Sequence, residues 1–563
     1  MTRDVLRSFT TRGVVCAAVL AVLCGAATRL AAADPSAREA GSLATDTPFY
    51  YRSISFGTPS RSGPPDVMGT KVTGSRFDGI RLDMNRDMVR LAAELGFNDV
   101  TIQTEERTVP KLKALRAWAD RTGNFRFIKD QGMTLSVWVH ELCDLPKGIG
   151  PPTLDNEKLW ALLRERYREI CQLLPEVDFF VLTVVESDLW VTHNADVLAK
   201  LVTLVNDECR RADKKLIFRT FLWYVKEADV VMESLKQFPS DVIVMSKCVP
   251  QDWHLRGVPN PFIGKAGSRD QFVEFDVAGE YNKLDHVACA FTDTLEERLK
   301  YAESHNCDGI SVRVDRYGAT CWGQAQEANL WFLGLWASGR SRSQDEIWKR
   351  YATALFGDEA APVMIRALRP TGDVVAEAIC VERESFGYSR DVVPMRNPEN
   401  PFDVLHSPAK WDESLVPVYK KIVAGDPEII RRKKESSARA LVSTEESLRL
   451  IETVADDLPD GAYPFFRWKL EENRFCLKMF THMELAWLKH ARRERTGNAE
   501  EKQQLEREIQ QHVAAVKELY GQAAGKRLTV PWRGKVHELQ RGSYHDWMGW
   551  VNRFCTYAGV RKP

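Results

Sequence analysis

The stretch DFFVLTVVESDLWVTHNADVLAKLVTLVNDECRRADKKLIFRTFLWY (178–224) decides the fold. Its first nine residues are almost wholly apolar and β-branched or aromatic, the pattern of a strand buried on both faces. ADVLAKLVTLVNDECRRA then carries apolar residues at helical spacing, and KLIFRTFLWY returns to a strand pattern. A strand, a helix and a second strand within 47 residues form a βαβ unit, which implies a parallel sheet. Similar runs lie on either side: YYRSISFG (50–57), NDVTIQ (98–103), MTLSVWVH (133–140), DVIVMSK (241–247), FVEFDV (272–277) and DGISVRVDR (308–316). Helical patterns separate most of them. MNRDMVRLAAELGF ends on Gly96, a C-cap signal, and NEKLWALLRERYREICQLL and DTLEERLKYAESHN behave likewise. Eight such runs predict one closed (β/α)8 barrel over 49–345, with QAQEANLWFLGLWASGR (324–340) as its eighth helix. A doubly wound open sheet is the alternative, but no GxGxxG follows any strand.

Beyond the barrel the chain becomes helical, and 346–563 reads as an all-α domain with room for a homodimer contact. The dense charge run ARRERTGNAEEKQQLEREIQQH within it is the pattern of a solvated helix face and turn. At the other end, residues 1–33 combine a basic start, the apolar GVVCAAVLAVLCGAAT and the small residues of an A-x-A site. They read as a secretion signal cleaved after Ala33, with 34–48 as a tether and no further run of membrane-spanning length. The expected location is therefore periplasmic or extracellular. Lys+Arg and Asp+Glu both count 78, so net charge gives no reason to expect nucleic acid as a partner. Ten scattered cysteines remain after cleavage, with no CxxC, no HExxH and no His-rich tract, so neither a metal nor a cofactor is expected.

Three carboxylates stand just past strand runs: Glu186, Asp252 and Glu280. Acids at the carboxyl ends of barrel strands face one mouth, and paired carboxylates across a cleft are the working parts of glycoside hydrolysis. Tyr281, Trp190, Trp223, Trp253 and Trp322 follow or end strand runs and supply aromatic faces of the kind that stack on sugar rings. Arg219 and Lys247 lie inside strand runs, where a cation is costly unless it meets an anion. That anion is either one of the three acids or a carboxylate of the substrate.

These segments resemble family 67 glycoside hydrolases, the α-glucuronidases. FVEFDVAGEY is similar to the family's Glu-Phe…Glu-Tyr block, KCVPQD to its Lys-x-x-Pro-x-Asp segment, FRTFLWY to its arginine strand and VVES to its acid block. The resemblance implies Glu186 as general acid, Asp252 and Glu280 as the groups activating water, and Arg219 and Lys247 as ligands of a uronate carboxylate. It implies inversion, with acid and base roughly 6.5–9.5 Å apart. The chain departs from the family in lacking the large β-rich domain before the barrel and in placing Ser187 and Asp188 after the acid. Two other readings stay open: a retaining glycosidase with Glu280 as nucleophile, acting on a neutral or other acidic sugar, and a carbohydrate-binding barrel without turnover.

Overall fold

The strand–helix alternation closes on itself. The structure, a computed structural model, describes residues 47, 49–57, 85–103, 109–143, 145–185, 189–222, 224–250, 253–279, 286–316, 319–386, 401–402, 407–541 and 547–561. Eight strands pair in sequence order and all in parallel: β1 (Tyr51–Gly57), β2 (Asp99–Gln103), β3 (Thr134–His140), β4 (Phe179–Thr183), β5 (Lys215–Arg219), β6 (Ile243–Lys247), β7 (Gln271–Asp276) and β8 (Gly309–Arg316). The pairing of β1 with β8, from Tyr51↔Gly309 onward, shuts the barrel and leaves no sheet edge. A short β9 (Ala319–Thr320) folds back antiparallel on β8. Each expected strand is present, and the open-sheet alternative falls with the closure.

Helices α1 (Arg86–Leu95), α2 (Val109–Thr122), α3 (Asn124–Asp130), α4 (Glu157–Leu173), α5 (Ala195–Arg211), α6 (Glu227–Leu235), α7 (Thr292–Ser304) and α8 (Glu327–Ala337) flank the barrel. Their boundaries follow local chemistry. Asn85 caps α1 by accepting from the Asp87 and Met88 amides, and Gly96 ends it at φ 97°. Outward-pointing residues such as Val100, Val137, Phe180, Phe218, Val244 and Val312 join the helices in one large apolar core.

The inward positions follow a different rule. At the N-terminal end, Tyr51 and Phe272 stack with centroids 4.2 Å apart and planes 6° apart, beside Val181, Ile217, Ile243 and Met245. On the β1–β3 side the fill is polar and centres on Asp99, which is 0% exposed. Its carboxylate accepts from Tyr51 Oη (2.9 Å), Ser53 Oγ (2.7 Å), Thr134 Oγ1 (2.7 Å) and Ser136 Oγ (2.9 Å). Burial still pushes its pKa above the ordinary value, because these bonds oppose the desolvation without cancelling it.

The C-terminal region is helical: α9 (Gln344–Leu368), α10 (Thr371–Ile379), α11 (Val416–Val423), α12 (Pro427–Glu452), α13 (Ala462–Arg493), α14 (Ala499–Ala523) and α15 (Trp547–Ala558). The charge run 491–512 spans the α13–α14 turn, with Asn498 capping α14. The region is not wholly helical. A small ribbon forms from β10 (Cys380–Val381) and β11 (Glu384–Ser385), and a hairpin from β12 (Arg527–Trp532) and β13 (Lys535–Gln540). Arg533 (φ 51°) and Gly534 (φ 74°) form the hairpin's two-residue turn, and positive φ at both positions matches strand twist.

Residues 1–46 and 48, the expected leader and nearly all of the tether, lie outside the described residues. Among the described residues no helix is long and apolar enough to cross a membrane. All ten cysteines from Cys143 to Cys555 are buried.

Gly309 tests the barrel's packing. A Cβ there would meet Phe272 Cδ1 at 2.6 Å and Tyr51 Cβ at 2.8 Å. Gly309→Ala is expected to cost about 1–3 kcal/mol as overpacking, read as a lower urea midpoint at unchanged m. An unchanged midpoint would mean that the ring pair moves aside to admit a methyl group.

Candidate functional site

Side chains alternate along a strand, so the residues sharing a face with Ile217, Met245 and Phe272 also point into the barrel. Near the carboxyl ends of four adjacent strands these are Arg219 on β5, Lys247 on β6, Glu274 and Asp276 on β7, and Arg313 on β8. All five are buried. The register pairs Lys247 with Glu274 and Asp276 with Arg313, so the two acids of β7 stand between the cations of β6 and β8.

Glu274 is the centre of the cluster. Arg219 Nε donates to its Oε2 at 2.6 Å, and Arg313 Nη2 lies 3.6 Å from its Oε1. Burial alone would raise its pKa. The positive charges of Arg219, Arg313 and Lys247, together with the Arg219 hydrogen bond, outweigh burial and hold it below the usual carboxylate range. Glu274 is therefore a fixed anion and not a proton donor. Arg313 Nη1 also lies 3.9 Å from Asp276 Oδ2. The other oxygen of Asp276 accepts from the amides of Ala278 (2.8 Å) and Gly279 (3.2 Å). That Asx turn sets the direction in which the chain leaves β7.

Aromatic faces surround the cations. The Arg219 guanidinium lies 4.3 Å from the Trp138 ring and 4.9 Å from Phe221. Lys247 Nζ is 3.9 Å from the Phe221 ring and 4.0 Å from Trp253, and the Arg313 guanidinium is 4.3 Å from Trp253. Trp253 Nε1 donates to the Glu274 carbonyl at 3.3 Å, which fixes the indole against β7. These contacts are desolvated, where a cation over a ring is worth about 2 kcal/mol.

Arg219, Lys247 and Trp253 thus come together as substrate-binding candidates, but the anion that Arg219 meets is Glu274. Trp322 belongs elsewhere. The Arg533 guanidinium, at the tip of the β12–β13 hairpin, covers its ring at 4.1 Å and pairs with Glu327 at 3.2 Å, and Trp532 Nε1 donates to the Gly323 carbonyl at 2.7 Å. Glu186, Trp223, Asp252, Glu280 and Tyr281 lie outside the described residues. In sequence they stand three, four, five, four and five residues past the last residues of β4, β5, β6, β7 and β7.

Sequence reasoning did not single out Glu274, Asp276 and Arg313. The signal was present in FVEFDV and SVRVD, where charges alternate with large apolar residues at the period of a strand.

Glu274→Gln keeps the shape, removes the charge and leaves three cations facing a neutral group. Removing one partner of a buried ion pair costs about 3–5 kcal/mol near pH 7. A depressed folded pKa gives stability that is complete above the unfolded value of about 4.3 and is lost as pH falls through the folded value. The difference between wild type and variant in urea unfolding should therefore hold steady down to about pH 5 and narrow below about pH 4. A difference independent of pH would show that Glu274 is not the ionised centre of the cluster.

No protein-family model matches the chain, and no curated protein matches it by sequence. Solved structures do. A GH138 enzyme targeting pectin rhamnogalacturonan II superposes with a TM-score of 0.60 at 10% identity, over 91% of this chain and 67% of that one. A GH115 4-O-methyl-α-glucuronidase with specificity for decorated arabinogalactans gives 0.47 at 15% identity, over 83% and 59%. The O-GlcNAc hydrolase of Thermobaculum terrenum gives 0.43 at 10% identity, over 91% and 94%. None of these comparisons shows family 67. At such identities the GH138 likeness establishes a shared fold, a (β/α)8 barrel followed by a helical region.

Proposed function

We propose that the chain is an exported glycoside hydrolase that removes a uronic acid of α-glucuronosyl type from plant or algal polysaccharide fragments, with inversion. The observation that carries this reading is the gathering of Arg219, Lys247 and Arg313 at the carboxyl ends of β5, β6 and β8, framed by Trp138, Phe221 and Trp253. Aromatic faces suit a sugar ring, and cations suit its carboxylate. The segments similar to family 67 fall on or just past β4, β5, β6 and β7 in sequence, and the GH138 enzyme of like fold targets a pectin. In this mechanism Glu186, protonated, gives its proton to the leaving oxygen, while Asp252 and Glu280 activate a water on the opposite face.

The Arg219–Glu274 pair refines the roles of the two cations. Arg219 is bound to a fixed anion, so its removal disturbs the whole cluster. Lys247 sits between two ring faces and is one of the three cations around Glu274. Its ammonium imposes no fixed plane, so in this reading Lys247 is the ligand that adapts to the uronate.

Three measurements test the proposal. Glu186→Ala should abolish hydrolysis of substrates with poor leaving groups yet spare activated aryl glycosides, because only the former need the proton. Equal damage to both substrates would remove Glu186 as the acid. Product anomers followed by NMR on a panel of uronic-acid-substituted and neutral oligosaccharides would decide between inversion and retention. Lys247→Met should lower kcat/KM for a uronoside by about 10- to 150-fold, the worth of a charge-assisted hydrogen bond, and much less for the matching neutral glycoside. Arg219→Ala should hurt both. Equal losses on both substrates for Lys247→Met would leave a glycosidase with no preference for an acidic sugar.

A further inference from the structure

The βα loops after β4 and β5 carry an aromatic cluster that the ion cluster does not use. Among the described residues, eight large hydrophobic side chains are exposed, and Trp190 (43%), Tyr224 (44%) and Val225 (37%) are three of them. The Trp190 ring stacks on His193 (5.3 Å, 12°) and on Tyr224 (5.7 Å, 26°). Lys226 Nζ lies 5.4 Å from the Tyr224 ring.

The rings are exposed but held in place. Glu227, the first residue of α6, is 1% exposed, and its carboxylate ties the two loops together. Its Oε1 accepts from Trp190 Nε1 at 2.6 Å and from Thr192 Oγ1 at 2.9 Å, and its Oε2 accepts from the Tyr224 amide at 3.0 Å. A buried carboxylate spent on fixing an exposed indole is hard to explain by stability, because the indole contributes little buried area in return. Pre-organised aromatic surface is what a ligand-binding ledge requires, since no side-chain entropy is then lost on binding.

We infer that Trp190 and Tyr224 form a subsite for a sugar ring on the leaving-group side of the scissile bond, where the polysaccharide backbone lies. This rests on the hydrolase reading. Trp190 stands four residues past Glu186 on one loop, and the general acid faces the leaving-group oxygen. The apolar C–H face of a pyranose suits the exposed part of the rings, and the imidazole stacked on Trp190 and the Lys226 ammonium over Tyr224 supply polar groups for its hydroxyls. Two rings set among polar neighbours are small for a protein interface, which needs several hundred Å2 of continuous apolar surface.

Calorimetric titration tests this without turnover, using a glucuronic-acid-substituted xylo-oligosaccharide, a rhamnogalacturonan fragment and free glucuronic acid. Trp190→Ala and Tyr224→Ala should each weaken binding of at least one oligosaccharide about tenfold, the effect of truncating an aromatic anchor. The loss should be the same when Glu186→Ala is combined with either variant. Affinity for free glucuronic acid should change far less. Glu227→Gln should weaken oligosaccharide binding to a smaller degree, because it loosens the indole without removing it. Oligosaccharide affinity unchanged in both ring variants, an equal loss for free glucuronic acid, or no binding of either oligosaccharide by the wild type would overturn the subsite. Tight oligosaccharide binding that depends on Trp190, in a protein that hydrolyses none of the probes, would uphold the ledge and remove the hydrolase reading instead.

Discussion

An ionised carboxylate in the interior of a barrel is stable only if cations reach it from other strands, and Glu274 meets that condition. Arg219 comes from β5, Lys247 from β6 and Arg313 from β8, so each attraction crosses a strand boundary. The cluster therefore depends on the register of the closed ladder. A slip of one residue in β7 would turn Glu274 outward into the apolar layer under the helices and leave three buried cations without their centre. The same dependence runs the other way, because a chain that must satisfy these charges has few alternative registers. Charge cost and backbone pairing select the same arrangement, which is the consistency a foldable sequence needs.

The polar interior is divided between two kinds of chemistry. On the β1–β3 side, Asp99 is satisfied by hydroxyl groups that carry no charge, and burial keeps its pKa high. On the β5–β8 side, Glu274 is satisfied by full positive charges, and its pKa is low. Two carboxylates inside one barrel are thus driven in opposite directions by their neighbours. The helical region adds a third constraint at the mouth. Asn473 on α13 accepts from the Ala288 amide and donates to its carbonyl, each at 2.8 Å. Thr371 accepts from the Ala290 amide at 2.9 Å, and Asn329 bonds both Cys289 and Phe291. Residues 288–291, which lead into α7, are therefore held by Asn329 of α8 and by Thr371 and Asn473 of the helical region.

Most of the fold was legible in the sequence because the barrel strands are short runs rich in β-branched and aromatic residues, contiguous or alternating, and most of the barrel helices carry a clear 3.6 period. Arg219 and Lys247 stood out for a related reason: a charge inside a strand is expensive and must be answered. Their answer was harder to read. Glu274 lies inside the quoted FVEFDV, but only the closed register shows that its inward alternation meets β5 and β8. The surroundings of Trp322 were not legible because its cover, Arg533, is over two hundred residues away. The hairpin that carries Arg533 was missed because RG is a weaker turn signal than NG or DG, and because it follows a long helical stretch.

The same long-range effect bears on how an acidic sugar would be recognised. A guanidinium is a rigid fork, and once one of its edges is fixed on Glu274 its plane is set by the protein and not by a ligand. An ammonium imposes no such plane. Lys247 is a compact charge between two rings and beside Glu274 in the ladder. On the proposed function, the arginines stabilise the site and the lysine meets the substrate's carboxylate. In that division of labour the arginine strand that first suggested a uronate serves chiefly to keep Glu274 charged, and Glu274 in turn keeps the end of β7 in place.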